Sequence, residues 1–112
     1  MKSVSTHVLD IHRGRPASGV PVTLDRLEGR STVRITAAKT DADGRVKDLV
    51  PEGTLTAGTY RITFDTGAYF AAQGIEGFYP EAAIMFVVRD AASHYHVPLL
   101  LSAHGYSTYR GS

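Results

Sequence analysis

Along most of the chain apolar and polar residues alternate in runs of strand length, and glycine, proline and aspartate break the runs at short intervals. Val4 to Ile11 alternates and is rich in β-branched residues, and Gly14, Pro16 and Gly19 interrupt it. Val20 to Leu27 resumes the pattern as far as Gly29, and Ser31 to Thr40 is a third extended segment. Asp41-Ala42-Asp43-Gly44 reads as a turn in which glycine can take a positive φ, and Arg45-Val46 starts a short fourth strand. Gly58 to Thr66 is a strand with Tyr60, Ile62 and Phe64 on one face. Ala82 to Arg89 and Tyr95 to Ser102 are two further apolar strands, and Tyr106 to Arg110 closes the set. Regular short strands separated by turn signals predict an antiparallel β-sandwich. The segment Thr66 to Gly74 departs from the pattern and predicts a short helix, with Thr66 as N-cap and Gly74 at C′.

Two strands are apolar on both faces. In Tyr95 to Ser102, Val97, Leu99 and Leu101 point one way and His96, Pro98 and Leu100 the other. In Val4 to Ile11, Val4, Thr6 and Val8 oppose His7, Leu9 and Ile11. A sandwich strand packed on one side only should carry polar residues on its outer face. The second apolar face therefore predicts cover by another subunit, a homo-oligomer with His7 and His96 near its interface.

Composition narrows the function classes. With 112 residues, 43% of them hydrophobic, the chain has the size and apolar content of one domain spanning residues 1–112. It holds no cysteine, so a disulfide framework and a thiolate metal site are excluded, which fits a reducing compartment. The net charge is +1 and the basic residues are scattered, so the concentrated basic face that nucleic acid requires is missing. No apolar run approaches the roughly 20 residues that span a bilayer. The start, Met1 to His7, has no long apolar leader segment, and the expected location is cytoplasmic.

Histidine supplies the candidate chemistry. His94 and His96 lie two apart on one strand face, a geometry zinc could use if His7 or a carboxylate gave a third ligand, but no further ligand stands at a recognisable spacing. No metal and no cofactor are expected. His94, His12 and His104 read as loop or surface residues. His7 and His96, flanked by apolar residues within strands, are either half-buried imidazoles satisfied by backbone carbonyls or acid/base groups working near neutral pH. Arg45, after its glycine turn, is either a solvated charge or the fixed fork for a planar anion. Gly111-Ser112 is either a vector-derived remnant or part of an ordered tail that brings a hydroxyl and the terminal carboxylate. A Gly-x-Ser-x-Gly nucleophile elbow and a glycine-rich phosphate loop are both absent, so any hydrolysis would use activated water.

Several blocks, in order from end to end, resemble the transthyretin-related 5-hydroxyisourate hydrolase family. They are Ser5-Thr6-His7-Val8-Leu9-Asp10 with Gly14-Arg15-Pro16-Ala17, Asp43-Gly44-Arg45, Phe78-Tyr79-Pro80-Glu81, His94 to Ser102, and Tyr106 to Ser112. The closing Tyr109-Arg110-Gly111-Ser112 is the specific part, since the hormone-carrying transthyretins lack it. Ala103 stands where many relatives have proline, and Ala82-Ala83 replaces larger residues; both concern loops and packing.

The resemblance implies an all-β, transthyretin-like sandwich of two four-stranded sheets with one short helix, assembled as a homotetramer with active sites between dimers. It implies hydrolysis of 5-hydroxyisourate to 2-oxo-4-hydroxy-4-carboxy-5-ureidoimidazoline in urate degradation. It assigns His7, Arg45, His96 and Ser112 to catalysis and these four together with Tyr109, Arg110 and Gly111 to substrate binding. The rival reading is a noncatalytic carrier that binds a small aromatic ligand in the channel between subunits.

Overall fold

Alternation along the first strand, β1 (Val4–Asp10), sorts its side chains strictly: Val4, Thr6, Val8 and Asp10 are buried, and Ser5, His7 and Leu9 are half-buried on the opposite face. The computed structural model describes residues 3–112; Met1 and Lys2, part of the start read above for a leader, lie outside the described residues. After β1 come β2 (Arg15–Pro16), β3 (Pro21–Glu28), β4 (Ser31–Lys39), β5 (Arg45–Val46) and β6 (Gly58–Phe64). A helix α1 (Thr66–Ala71) precedes β7 (Ala82–Val88), β8 (Tyr95–His96), β9 (Leu99–Ser102) and β10 (Gly105–Thr108). Strands β4-β3-β6-β7 form one antiparallel sheet. The second sheet runs β10-β9-β1-β2, with β5 and β8 also paired to β1.

The second sheet is four positions wide, because its short strands share places. Both β8 and β9 flank β1 on one side, Val4 and Ser5 facing Tyr95 and His96, and Val8 to Asp10 facing Leu99 to Leu101. On the other side β5 takes Thr6 and His7, and β2 takes Leu9 and Asp10. The continuous strand expected over Tyr95 to Ser102 is thus split at Val97-Pro98, where a buried proline has no N–H to give to a ladder. The sandwich is also not wholly antiparallel, since β1 runs parallel to β8 and β9. The chain reaches β8 only after building the whole opposite sheet, and a crossover of that length allows a parallel return.

The sheets meet through Val4, Val8, Leu99 and Leu101 on one side and Val22, Leu24, Ile62 and Phe64 on the other, all essentially excluded from solvent. Each such side chain contributes about 1.5–3 kcal/mol on burial. The helix begins one residue earlier than expected: Asp65, not Thr66, is the N-cap, its carboxylate accepting from the Ala68 N–H at 3.0 Å. The Thr66 hydroxyl instead donates to the Tyr79 carbonyl at 3.2 Å. At the other end Gly74 sits at φ 69°, with Gly74 N–H donating to Ala71 O and Ile75 N–H to Phe70 O, each at 3.0 Å. That pair of bonds is the Schellman ending that a C′ glycine makes. The buried Asp10 joins helix to sheet, accepting from the Tyr69 hydroxyl at 2.7 Å and from the His12 and Arg13 N–H groups at 3.0 Å.

Candidate active site

Arg45 is held by the turn before it. Asp41 Oδ1 accepts from the N–H groups of Asp43 and Arg45, both at 2.9 Å, and Gly44 takes φ 76°. The hydrogen bond from the Arg45 N–H is the chief cause that holds the Asp41 carboxyl below its ordinary value. A side chain at residue 44 would collide with the Val8 carbonyl, so glycine is needed there for both conformation and space. The turn then delivers Arg45 into β5 directly opposite His7 of β1.

His96 arrives from the other side. The register of β8 sets it opposite Ser5, two residues from His7 on the same face of β1. Beyond β10 the tail folds back, and Gly111 pairs with His96 as an isolated bridge in which the Gly111 N–H donates to the His96 carbonyl at 2.8 Å. The approach is close. A Cβ on residue 111 would overlap His96 Cδ2 and lie 3.1 Å from its Cγ. Glycine in the closing tetrapeptide is therefore a spatial requirement, and it brings Ser112 to the rim beside the imidazole.

A cleft of about 380 Å³ results, lined by Ser5, Arg45, Lys47, His94, His96 and Ser112. Three of the residues singled out in the sequence, Arg45, His96 and Ser112, thus meet in one place. His7 stands next to them as the cross-strand neighbour of Arg45, on the half-buried outer face, and does not line the cleft. Tyr109 and Arg110 line a second cleft of about 330 Å³ with Ile84, Phe86 and Tyr95, and His96 borders both. There the Arg110 guanidinium lies over the Tyr95 ring, 4.6 Å from its centroid. A larger groove of about 700 Å³ beside Arg13, Lys39 and Tyr69 holds none of the predicted residues.

Burial lowers the His96 pKa from its ordinary imidazole value, and the electrostatic influence of Arg45, and after it of His7 and His94, lowers it further, against a weaker opposing pull from the Ser5 backbone. His96 is thus favoured in its neutral form. Among the cleft residues that escaped the sequence reading, two bear directly on His96. Ser5 Oγ lies 2.8 Å from both His94 Nε2 and His96 Nδ1, so His94, although exposed, is tied to the site. The shared face of His94 and His96 was visible as an i, i+2 spacing, but Ser5 is 91 residues away from His96 and only the strand register joins them. Among the described residues no group of three His, Cys, Asp or Glu side chains is arranged to hold a metal ion.

Comparison with known proteins bears on what such a cleft does. A family model described as the HIUase/Transthyretin family matches residues 4–111. The 5-hydroxyisourate hydrolase of Salmonella dublin is 45% identical over 109 residues, covering 97% of this chain and 80% of that protein. The structure of Klebsiella pneumoniae 5-hydroxyisourate hydrolase superposes with a TM-score of 0.89 at 43% identity over 100% of both chains. Sea bream transthyretin in complex with thyroxine gives a TM-score of 0.91 at 32% identity, covering 96% of this chain and 93% of that one.

Proposed function

We propose, since the chain belongs to the HIUase/Transthyretin family, that it hydrolyses 5-hydroxyisourate to 2-oxo-4-hydroxy-4-carboxy-5-ureidoimidazoline, a step of urate degradation, in the cleft between Arg45, His96 and Ser112. The observation that carries this reading is the convergence of a guanidinium, a neutral-leaning imidazole and a hydroxyl from three distant segments around about 380 Å³. Water adds to a ring carbonyl and the adjacent carbon–nitrogen bond breaks. His7 and His96 handle the protons and polarise the carbonyl, and Arg45 holds the substrate's carbonyl or anionic edge and favours the negative charge that grows during attack. Ser112 positions the water, while Tyr109, Arg110 and Gly111 fix that side of the pocket.

The enzyme works in this reading as one domain over residues 1–112, in a cytoplasmic homotetramer whose partner subunit covers the outer face of β1. In support, Ser5, His7, Leu9, His96 and Leu100 are all half-buried on that face, and β7 is an edge strand with Met85 61% and Val87 46% exposed. No helix of the described residues is long and apolar enough to cross a membrane.

A transthyretin-like carrier is the second reading, favoured by the thyroxine-bound relative of the same fold. The cleft argues against it, because an imidazole, a guanidinium and a polar tail weaken an apolar ligand site unless they are paired or used. The test is to generate 5-hydroxyisourate in situ from urate and follow its ultraviolet absorbance. The protein should accelerate the decay in proportion to its concentration; decay at the spontaneous rate would leave the carrier reading ahead.

A further inference from the structure

The hydrogen bonds behind His96 form a chain with one fixed end. That end is the backbone N–H of Ser3, which donates to His94 Nδ1 at 3.2 Å. Ser3 cannot move away, because its carbonyl accepts from Tyr95 N–H at 2.9 Å and its hydroxyl donates to the Val50 carbonyl at 2.9 Å. A backbone amide is only a donor, so Nδ1 of His94 must be the bare nitrogen. A neutral imidazole then carries its hydrogen on Nε2, which faces Ser5 Oγ at 2.8 Å. Ser5 accepts that bond, and its own hydrogen is left for the remaining neighbour, His96 Nδ1, also at 2.8 Å. The alternative, with His96 donating to Ser5 as well, would leave the serine hydrogen with no acceptor among the described residues. His96 Nδ1 is therefore an acceptor, and its hydrogen sits on Nε2, which has no protein partner among the described residues, in a ring that borders the cleft.

We infer that His94 and Ser5 are positioning residues that lock His96 as the neutral Nε2–H tautomer, so that His96 donates a hydrogen bond to the developing oxyanion while His7 alone carries the proton. The inference rests on the hydrolase reading and divides the labour between the two histidines. The His7 ring has no hydrogen bond to another residue among those described, so nothing there fixes its tautomer. As water attacks the carbonyl carbon, His7 takes a water proton and the C=O π pair moves onto oxygen, where Arg45 and His96 Nε2–H donate. When that pair re-forms the carbonyl, the carbon–nitrogen σ bond breaks and the departing nitrogen receives the proton from His7. His7 starts and ends neutral, one water is consumed, and His96 never loses its hydrogen. The groups facing His96, namely Arg45, His7 and His94, all disfavour a charged imidazole, which suits a donor that must stay neutral.

Long-range proton–nitrogen correlation spectra of the ¹⁵N-histidine-labelled protein read the tautomer directly. His96 should show a bare Nδ1 and a protonated Nε2; a protonated Nδ1 with a bare Nε2 would overturn the inference. Ser5→Ala and His94→Phe should convert this to a mixture of tautomers and lower kcat about tenfold or more, up to the roughly 10²–10³-fold loss that follows removal of a whole oxyanion donor, with KM within about threefold. Ser5→Thr, which keeps the hydroxyl, should recover most of the loss. Variants that fold, show the mixed tautomer and keep the parent kcat would also refute it. Failure of the parent protein to speed 5-hydroxyisourate decay would instead sink the hydrolase reading and leave the tautomer result standing.

Discussion

Gly111 and His96 show how closely the tail and the imidazole depend on each other. The hydrogen bond from the Gly111 N–H and the absence of a side chain let the backbone lie against a ring that Ser5 holds from behind. Gly111→Ala should displace Ser112 and cut turnover at least about tenfold, while the urea midpoint changes little because residue 111 lies against His96, outside the core cluster; an unchanged rate would show that the tail's position is incidental. His96→Ala removes a donor at the reaction centre and should lower kcat by about 10²–10³-fold. Activity within twofold of the parent would exclude His96 from the mechanism. The depressed pKa gives a further check with a definite sign. Between the folded value and the unfolded imidazole value of about 6.5, the unfolded chain binds a proton that the folded protein refuses. The stability contributed by neutral His96 is therefore present above that value and is lost as pH falls through it towards the folded pKa. The parent should lose more stability between about pH 7.5 and about pH 5.5 than His96→Gln does, read as urea midpoints. Arg45→Ala should raise the His96 titration midpoint in NMR, since a neighbouring positive charge is removed.

At the scale of elements, β1 organises the site: it pairs with β5 to place Arg45, with β8 to place His96, and its last residue, Asp10, fastens α1 to the sheet. Asp10 is buried with both carboxylate oxygens engaged, so Asp10→Ala should cost about 2–4 kcal/mol in chemical denaturation and Tyr69→Phe about 1. Burial first, and then the carboxylate beside it, raises the Tyr69 pKa, consistent with a phenol that stays protonated as the donor. Most strands could be read from the chain because a period of two survives wherever one face is buried, as in Gly58–Phe64 with Tyr60, Ile62 and Phe64 inside. Period carries no information about partners, which is why the parallel pairing of β1 with β8 and β9 was missed. The break at Val97-Pro98 had a visible cause in the missing proline N–H, but the apolar run through it disguised the boundary. Arg45, His96 and Ser112 could be picked out by residue type and by the resemblance of the tail; Ser5 and His94 could not, because their role exists only once residues 91 positions apart are in register.

For the molecule as a whole, the half-buried outer face of β1 and the exposed apolar edge of β7 predict that the protein associates with itself. Light scattering should give four times the 12.1 kDa chain mass, and a charged substitution, Met85→Lys on β7, should shift it towards smaller species. The same sandwich serves a hydrolase in one relative and binds thyroxine in another, so the architecture by itself does not choose a chemistry. In the proposed reading the tail and the cleft it completes make the choice. The direct measurement is 5-hydroxyisourate turnover by the chain shortened by residues 109–112, compared with the full chain at equal concentration and equal oligomeric mass. A fall of about 100-fold or more is predicted, whereas a rate equal to that of the full chain would contradict an active site closed by this tail.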